Sequence, residues 1–362
     1  MESVALEDNK TVVKKRNVSI DLYKIALAWF VILIHAGHFT SPNNFWLYAI
    51  RIAVPGFLIA SGFFFFKEGV TSDEDLAKRA FKFFLTSLKY TLIAFLTVML
   101  LEIIFRGFIL HNSIADMFNT WFSGDYFRSI FVTNWPVNDF YGYHLWYLIA
   151  ATVAYLILYI LFKLKLKKVV FFLPLLFFGF FFFSLWLKYV PGQSTVVPAS
   201  NTRNAFFMVL PGIAIGYDLA YLRKFKIPWW TALIVGAAGV GFFLLQYREA
   251  KHYDLGVPET TVSAVLAASC FVFALDFIPR FGGKIYNILV GKNIAFFIYV
   301  YHVPIYRFLY EYYKIEVKDN LAIKTFLVAI GSYFVIHFLY ILIMFVIEKL
   351  KLCFSKNRSE EA

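Results

Sequence analysis

Four ionisable residues interrupt one long apolar stretch near the start of the chain. Residues 20–39 read IDLYKIALAWFVILIHAGHF, which is long enough to cross a membrane but contains Asp21, Lys24, His35 and His38. An ionised side chain in hydrocarbon costs at least ~2.5–3.5 kcal/mol, so each of these groups needs a partner, a water-filled cavity or a task. An imidazole can remove a proton from a hydroxyl near neutral pH, and burial favours its neutral, basic form. His35 is therefore the first candidate for chemistry, and His38 is the second.

Helical spacing places Lys24 and His35 on the same face of this predicted helix. Eleven residues at 100° per residue bring His35 back to within about 20° of the azimuth of Lys24, roughly 16 Å further along the axis. Lys24 would lie near one membrane surface and His35 beyond the middle, so one helix face would connect two compartments. The alternative for His35 is a buried structural histidine that bonds to a neighbouring hydroxyl or carbonyl.

The composition is typical of a membrane protein with many helical spans. Hydrophobic residues make up 60% of the 362 residues and charged residues 16%, and the mean hydropathy is +0.67. Apolar stretches of about 20 residues recur, which predicts an all-α membrane protein, a polytopic bundle of about ten transmembrane helices. The predicted helices span residues 20–39, 46–66, 83–105, 144–162, 169–187, 204–220, 229–247, 260–278, 288–312 and 322–348. Cys270 in a span and Cys353 in the C-terminal tail offer no disulfide framework.

The basic residues between these helices predict the orientation of the bundle. Alternate connections, together with both termini, hold 22 Lys and Arg residues, whereas the intervening connections hold 8. The positive-inside rule therefore places both termini in the cytoplasm. The predicted organisation is a cytoplasmic tail at 1–19, a transmembrane domain at 20–348 and a second cytoplasmic tail at 349–362. The net charge of +12 is then a topology signal and requires no nucleic-acid partner.

The second predicted helix carries residues that suit a substrate cavity. It reads RIAVPGFLIASGFFFF, with Arg51 near its outer edge, Pro55 and Gly56 in its body and Ser61 deeper. Proline removes a backbone hydrogen bond and glycine permits close approach, so a kink here would open a cavity. Arg51 would bind an anionic or sugar-bearing acceptor, or it is an interfacial anchor.

Three cations, Lys78, Arg79 and Lys82, precede the third predicted helix with a spacing that collects them on one side of a helix. Such a group would bind the phosphates of a donor, the arginine through its planar fork and the lysines as less directional charges. A positive-inside signal explains the same residues. The chain has no Walker-type GxxxxGK[ST] loop, which argues against an ATP-driven function.

The ninth predicted helix places His302 one turn from Tyr299 and two residues before Pro304. This polar group would complete the cavity around His35, or His302 is a structural histidine bonded to a tyrosine.

Two further segments carry weaker signals. YHLWY at residues 143–147 is typical of an interfacial aromatic belt. Within the long connection 106–143, residues 114–127 form an ordinary external loop, or they lie on or re-enter the membrane.

Taken in order, these stretches resemble the acyltransferase 3 family of integral-membrane acyltransferases. IDLYKIALAWFVILIH is similar to the family's first-helix pattern of a basic residue, ten positions and a histidine, and RIAVPGFLIASGFF is similar to its second-helix pattern ending in Ser-Gly. KRAFK resembles the family's basic motif before the third helix, and HLWYL and GKNIAFFIYVYHVPI resemble two later segments. The resemblance covers residues 16–310, and ten helices match the family's usual core.

Three positions depart from the family's pattern. Lys24 and Lys82 stand where arginine is common, and lysine keeps the charge but lacks the fork that binds phosphate in two places. Gly56 stands where phenylalanine often follows the second-helix proline. Many family members also carry a C-terminal esterase-like domain, and we expect this chain to be a stand-alone form.

The resemblance implies transfer of an acyl group, usually acetyl from cytoplasmic acetyl-coenzyme A, to a hydroxyl of an outward-facing glycan or lipid-linked sugar. It implies no metal, and a bacterial plasma membrane as the location. His35 would be the catalytic base, or it would carry the acyl group itself. The resemblance further assigns charge stabilisation or donor positioning to Lys24, coenzyme A binding to Arg79 and Lys82, and a position toward the acceptor to Arg51. From their places in the predicted helices, we expect Lys78 to join the donor site and Ser61, Tyr299 and His302 to bind substrate.

Two other functions fit intramembrane His and Lys residues. One is a transporter or flippase for a polysaccharide or its precursor, although no inverted repeat of the kind common in secondary transporters is visible. The other is a membrane sensor that binds a small molecule without catalysis. Consumption of an acyl donor distinguishes a transferase from both.

Overall fold

The structure is a computed structural model, and it describes residues 18–35, 50–66, 70–124, 142–175, 204–222, 229–253, 268, 270–272, 294–312, 330–331, 333–343, 345–347 and 349. Every regular element in these residues is helical, and none of them forms a β-strand. The prediction of an all-α fold is therefore confirmed for this part of the chain. His38, most of both predicted tails and most of the predicted spans 169–187 and 260–278 lie outside the described residues.

The described helices largely follow the predicted apolar stretches. They are α1 (Val18–His35), α2 (Ala53–Phe65), α3 (Asp73–Glu102), α4 (Ile114–Trp121), α5 (Trp146–Lys163), α6 (Leu210–Leu222), α7 (Trp229–Tyr253) and α8 (Ile294–Tyr312). A π-helical stretch, Ile103–Ile109, extends α3, a second one, Ala205–Val209, leads into α6, and a 3-10 turn, Tyr143–Leu145, leads into α5. The segment predicted as a loop or membrane-associated stretch at 114–127 contains α4, whose Met117 and Trp121 are buried.

Among the described residues, three helical stretches are long and apolar enough to cross a membrane, namely Asp73–Ile109, Tyr143–Lys163 and Ala205–Leu222. Shorter apolar helices are Ala53–Phe65, Ile294–Phe308 and Tyr333–Ile347. These lengths and compositions agree with a helical membrane protein. The number of ten spans and the cytoplasmic location of the termini stay predictions.

Helix α3 begins ten residues before the predicted start of the third span. The Ser72 side chain accepts a hydrogen bond from the backbone N–H of Asp75 at 3.1 Å and so caps the helix. Asp73, Glu74 and Asp75 occupy the first turn, where carboxylates are stabilised by the helix dipole. An apolar pattern cannot reveal these polar turns. The predicted cationic group therefore lies within the second and third turns of α3 and not before the helix.

Glycines bring α2 and α6 into backbone contact. A Cβ at Gly62 would lie 1.8 Å from the carbonyl oxygen of Ile213, and a Cβ at Gly216 would lie 2.0 Å from the carbonyl oxygen of Ile59. Only a residue without a Cβ allows this approach, which is a common way for membrane helices to gain van der Waals contact. The contact fixes α2 firmly against α6.

Hydroxyl groups join α3 to α5 inside the bundle. The Thr152 hydroxyl lies 2.9 Å from that of Ser87 and 3.1 Å from that of Thr91, which also donates to the Leu148 carbonyl at 3.2 Å. The opposite face of α3 is apolar and exposed, with Leu96 at 66% exposure. Such a face is suited to lipid, so hydrogen bonds and close packing hold α3 to the bundle.

We expect Gly216→Ala to destabilise the protein, because α2 and α6 must separate to admit the new methyl group. Overpacking of this kind costs roughly 1–3 kcal/mol or more, which lowers Tm by about 1–5 °C. Thermal unfolding of detergent-purified protein measures the change. Gly241→Ala in α7 is the matched control, since a Cβ there meets nothing within 4 Å. Equal Tm values for the two variants would contradict the close contact.

Candidate active site

A cavity of about 190 Å³ lies where α1 ends and where α2 and α5 begin. Its wall is formed by aromatic, aliphatic and basic side chains, namely Val31, Ile34, His35, Arg51, Val54, Tyr143, His144, Trp146, Tyr147 and Tyr299. The predicted residues His35, Arg51 and Tyr299 therefore share one cavity, although they come from three different helical regions. A cavity with mostly apolar walls and a few convergent polar groups is typical of a small-molecule site.

His35 forms one corner of a cluster of three histidines. Its Nδ1 atom lies 2.9 Å from the Tyr143 hydroxyl oxygen, a hydrogen-bond distance. The His35 ring centroid is 5.1 Å from that of His302 and 6.0 Å from that of His144, and the latter two rings are 4.8 Å apart. We call these three residues the histidine cluster. Both alternatives offered for His35 remain compatible with this arrangement, because it has a hydroxyl partner and also faces a cavity.

Pro304 explains why His144 belongs to this cluster. Proline has no N–H, so Pro304 leaves the carbonyl of Val300, one turn earlier in α8, without its usual helical donor. The Nε2 atom of His144 lies 3.0 Å from that carbonyl oxygen. A carbonyl only accepts, so Nε2 carries the proton and donates it. The side chain of His144, which is 1% exposed, thus replaces the missing backbone bond.

Two further hydrogen bonds hold α8 in the cluster. The Tyr299 hydroxyl donates to the backbone carbonyl of His144 at 2.5 Å, which ties α8 to the turn before α5. His302 Nδ1 donates to the carbonyl of Ile298 at 2.8 Å on its own helix. The hydrogen bond of His302 Nδ1 thus joins a backbone carbonyl of the same helix.

Pro55 has a similar effect at the entrance to α2. Residue 50 is helical, residues 51 and 52 form a turn, and α2 proper begins at Ala53. Pro55 cannot donate to the carbonyl four residues before it, which belongs to Arg51, so the helix is interrupted there. This break lies beside the cavity, in agreement with the predicted kink.

Gly56 lies against α1. A Cβ at Gly56 would lie 2.6 Å from the Tyr23 hydroxyl and from Leu27, so side chains of α1 fill the space next to that glycine.

The cations predicted to bind a donor lie at the opposite end of α2. Arg79 donates from Nη2 to the Phe64 carbonyl at 2.9 Å and from Nε to the Phe65 carbonyl, both in the last turn of α2. These carbonyls have no helical donors, so Arg79 caps the end of α2. Lys24 lies over the other side of this end, with Nζ 4.6 Å from the centroid of the Phe64 ring. Lys24 and Arg79 therefore converge on Phe64, far from the His35 cavity.

The other two cations of the predicted group do not join this contact. Lys78 is exposed and forms an ion pair with Glu74 at 2.8 Å. Lys82 is also exposed on α3. Ser61 lies between the two ends of α2, where it is the side-chain hydrogen-bonding neighbour of Tyr147 and Tyr155. The structure thus separates the predicted site residues into a cavity group and a group at the end of α2.

Sequence reasoning missed Tyr143, His144 and Arg307. The first two were interpreted as an interfacial belt, yet they contact His35 and His302. The Arg307 guanidinium lies 5.1 Å from the centroid of the Tyr143 ring, which adds a second arginine near the cavity besides Arg51. Pro304 was the available signal, because an intramembrane proline leaves a carbonyl that needs an outside donor.

The described residues contain no group of three or more His, Cys, Asp or Glu side chains placed to hold a metal ion.

The sequence of the whole chain shows which protein family it belongs to. The model of the acyltransferase domain family matches residues 17–349. The chain belongs to the acyltransferase 3 family. No curated protein and no solved structure matches it.

Membership in the acyltransferase 3 family identifies a membrane acyltransferase, which takes an acyl group from a donor and passes it to an acceptor. In this acyltransferase the histidine cluster offers nitrogen bases beside a cavity, and the opposite end of α2 offers Lys24 and Arg79. The chemical groups needed for proton transfer and for holding an anion therefore lie at opposite ends of α1 and α2.

We expect Arg79→Gln to lower Tm by roughly 3–6 °C, because two carbonyls at the end of α2 lose a charged donor. Lys82→Gln is the matched control, since its exposed ammonium supports no such contact and Tm should change by about 1 °C or less. Both are read by thermal unfolding in detergent without donor. If Arg79→Gln unfolds at the temperature of Lys82→Gln, the capping role of Arg79 is wrong.

Proposed function

We propose that this acyltransferase moves an acetyl group from cytoplasmic acetyl-coenzyme A to a hydroxyl of a cell-surface glycan or lipid-linked sugar. The enzyme would lie in a bacterial plasma membrane, with residues 20–348 as its transmembrane domain. The observation that carries the proposal is the position of His35, which lines the cavity and has Nδ1 bonded to Tyr143. A base held by a second group in this way is the usual arrangement for proton abstraction from a hydroxyl.

In the proposed reaction the Nδ1–H group of His35 donates a hydrogen bond to the Tyr143 oxygen. In this tautomer the free lone pair of the neutral ring is on Nε2. Nε2 removes the proton of the acceptor hydroxyl as its oxygen attacks the thioester carbonyl carbon. The carbon–sulfur bond then breaks, and the leaving thiolate takes the proton from His35. General-base assistance of this kind is worth ~10²–10⁴-fold in rate.

The donor would enter at the end of α2 where Lys24 and Arg79 meet Phe64. Arg79 donates hydrogen bonds from Nε and Nη2 to backbone carbonyls. A guanidinium has five N–H groups, and those that remain are donors of the kind that bind phosphate. Lys78 and Lys82 would add charge from the exposed side of α3. Lys24 and His35 are eleven positions apart, roughly 16 Å of helix, so the extended arm of coenzyme A would have to bridge the two ends.

The acceptor would enter the cavity beside Arg51. Aromatic walls from Tyr143, Trp146 and Tyr147 suit the apolar face of a sugar ring, and Arg51 suits its oxygens or a nearby phosphate. Tyr299 lines the same wall, whereas Ser61 would act indirectly through Tyr147. The cavity volume of about 190 Å³ fits a hydroxyl-bearing part of an acceptor and not a whole polymer.

We expect His35→Ala to abolish transfer of radiolabelled acetyl from acetyl-coenzyme A into the glycan and lipid fractions of native membranes. The reason is the loss of the base, which removes about 10²-fold or more of the rate. His111→Asn is the matched control, because His111 is an exposed histidine with a φ of 56° that asparagine tolerates. Equal labelling by both variants at matched abundance would overturn the proposed function and favour transport or sensing.

We expect Tyr143→Phe to lower kcat by roughly 10-fold or more while the KM for the donor changes little. The substitution leaves the His35 ring in place but removes the hydroxyl that orients it, and misplaced bases lose rate. Initial rates in nanodiscs measure both constants. Tyr90→Phe, on the exposed face of α3, controls for loss of a tyrosine hydroxyl. A changed KM with an unchanged kcat would assign Tyr143 to donor binding instead.

An acyl group carried by His35 itself makes a different chemical demand. The imidazole would attack the thioester first, so acylated protein would accumulate with donor alone. Mass spectrometry of the peptide containing His35, after incubation with acetyl-coenzyme A and no acceptor, distinguishes this route from direct transfer.

A further inference from the structure

His302 is fully buried, with 0% exposure, and its ring lies closer to His35 than that of His144 does. We propose that His302 is a positioning residue that stabilises the protonated form of His35 and so makes His35 a stronger base. The proposal rests on the acyl transfer proposed above. It gives His302 a role different from the acceptor binding expected from sequence, because His302 is absent from the residues that line the cavity.

The hydrogen bond to Ile298 determines which nitrogen of His302 is available. Since Nδ1 donates its proton to the Ile298 carbonyl at 2.8 Å, Nε2 of the neutral ring holds a lone pair. Nε2 lies at the far edge of the ring from the backbone of α8, and the ring centroid lies 5.1 Å from that of His35 and 4.8 Å from that of His144. Nε2 is buried and has no hydrogen-bond partner among the described residues. A buried lone pair without a donor is stabilised by a positive charge that forms nearby.

The protonated His35 of the proposed reaction supplies such a charge. It has N–H on both nitrogens, of which Nδ1 faces Tyr143. The centroid distance of 5.1 Å allows the lone-pair edge of His302 to interact favourably with the new positive charge. His302 takes no proton in the balance of the reaction, since the proton passes from the acceptor hydroxyl to His35 and then to the thiolate. It lowers the energy of the step in which His35 is charged.

Other titratable groups lie around the cavity that His35 lines. They are Arg51 from the start of α2, Tyr143 and His144 from the turn before α5, Tyr147 from α5 and Tyr299 from α8, while Arg307 of α8 contacts the Tyr143 ring. Two positively charged arginines in this region disfavour a positive charge on His35. His144 donates its Nε2 proton to the Val300 carbonyl, and its ring lies 6.0 Å from His35, further than that of His302. Of these two histidines, His302 is therefore the better placed to offset the arginines.

The test compares pH profiles of His302 variants in nanodiscs, where both faces of the membrane meet the same buffer. In His302→Phe the low-pH side of the kcat/KM profile should move to lower pH by about one unit. This shift corresponds to a tenfold lower proton affinity of His35. The plateau rate should fall at the same time, because a weaker base transfers less well. His302→Gln places an amide oxygen near the position of Nε2 and should restore both features in large part.

Labelling of His35 by diethylpyrocarbonate provides a readout that needs no acyl transfer. This reagent modifies neutral imidazole, so the pH of half-maximal labelling, read on the His35 peptide by mass spectrometry, should move down by the same unit in His302→Phe. His337→Phe is the matched control, since His337 is another buried histidine and stacks on Tyr333 away from the cluster. It should leave both profiles unchanged.

The outcomes separate the two proposals. A lower plateau with an unmoved low-pH side of the profile would give His302 a structural role only and overturn the inference, as would an equal shift in His337→Phe. If the intact protein transfers no acetyl group yet the labelling shift is present, the proposed function fails and the effect of His302 on His35 stands. If transfer is intact and the labelling does not shift, the function stands and the inference fails.

Discussion

The carbonyl of Val300 is the point on which the arrangement of the site depends. Pro304 removes its helical donor, and a buried carbonyl without a partner costs roughly 1–3 kcal/mol. His144 provides the donor from the turn that leads into α5. This single bond sets how α8 and α5 meet, and the Tyr299 hydroxyl on the His144 carbonyl reinforces it. With α5 held in this position, Tyr143 reaches His35 and the three imidazoles come together.

The two ends of α2 carry different groups, and the contact between α2 and α6 fixes the position of both. Arg51 and Val54 line the cavity at the start of α2, whereas Phe64 and Phe65 receive Lys24 and Arg79 at its end. Gly62 and Gly216 allow the backbones of α2 and α6 to touch, so α2 cannot slide without displacing α6. A rigid helix with a basic residue near each end is suited to a reaction whose donor and acceptor arrive from different sides.

The sequence predicted the helical fold because membrane helices must be apolar over about 20 residues, a signal that survives without any tertiary information. It also suggested that His302 lies near His35, since buried polar groups in a membrane seek each other. It could not reveal Tyr143, which is 108 positions from His35, because nothing local in an aromatic stretch distinguishes a lipid belt from a hydrogen-bonded wall. It also missed the capping of α2 by Arg79, since a helix end and its donor become neighbours only in the folded bundle.

The length of α3 has a consequence for the bilayer. Asp73–Ile109 comprises 37 residues, roughly 55 Å of helix, against a hydrocarbon layer of about 30 Å. Its acidic first turn cannot enter hydrocarbon cheaply, so that end stays at the aqueous boundary while the apolar remainder adjusts by tilting. Arg79, in these polar turns, donates a hydrogen bond to the carbonyl of Phe64 at the end of α2, and Lys24 of α1 contacts the same end. The first turns of α3 therefore set the depth at which the His35 cavity lies within the membrane.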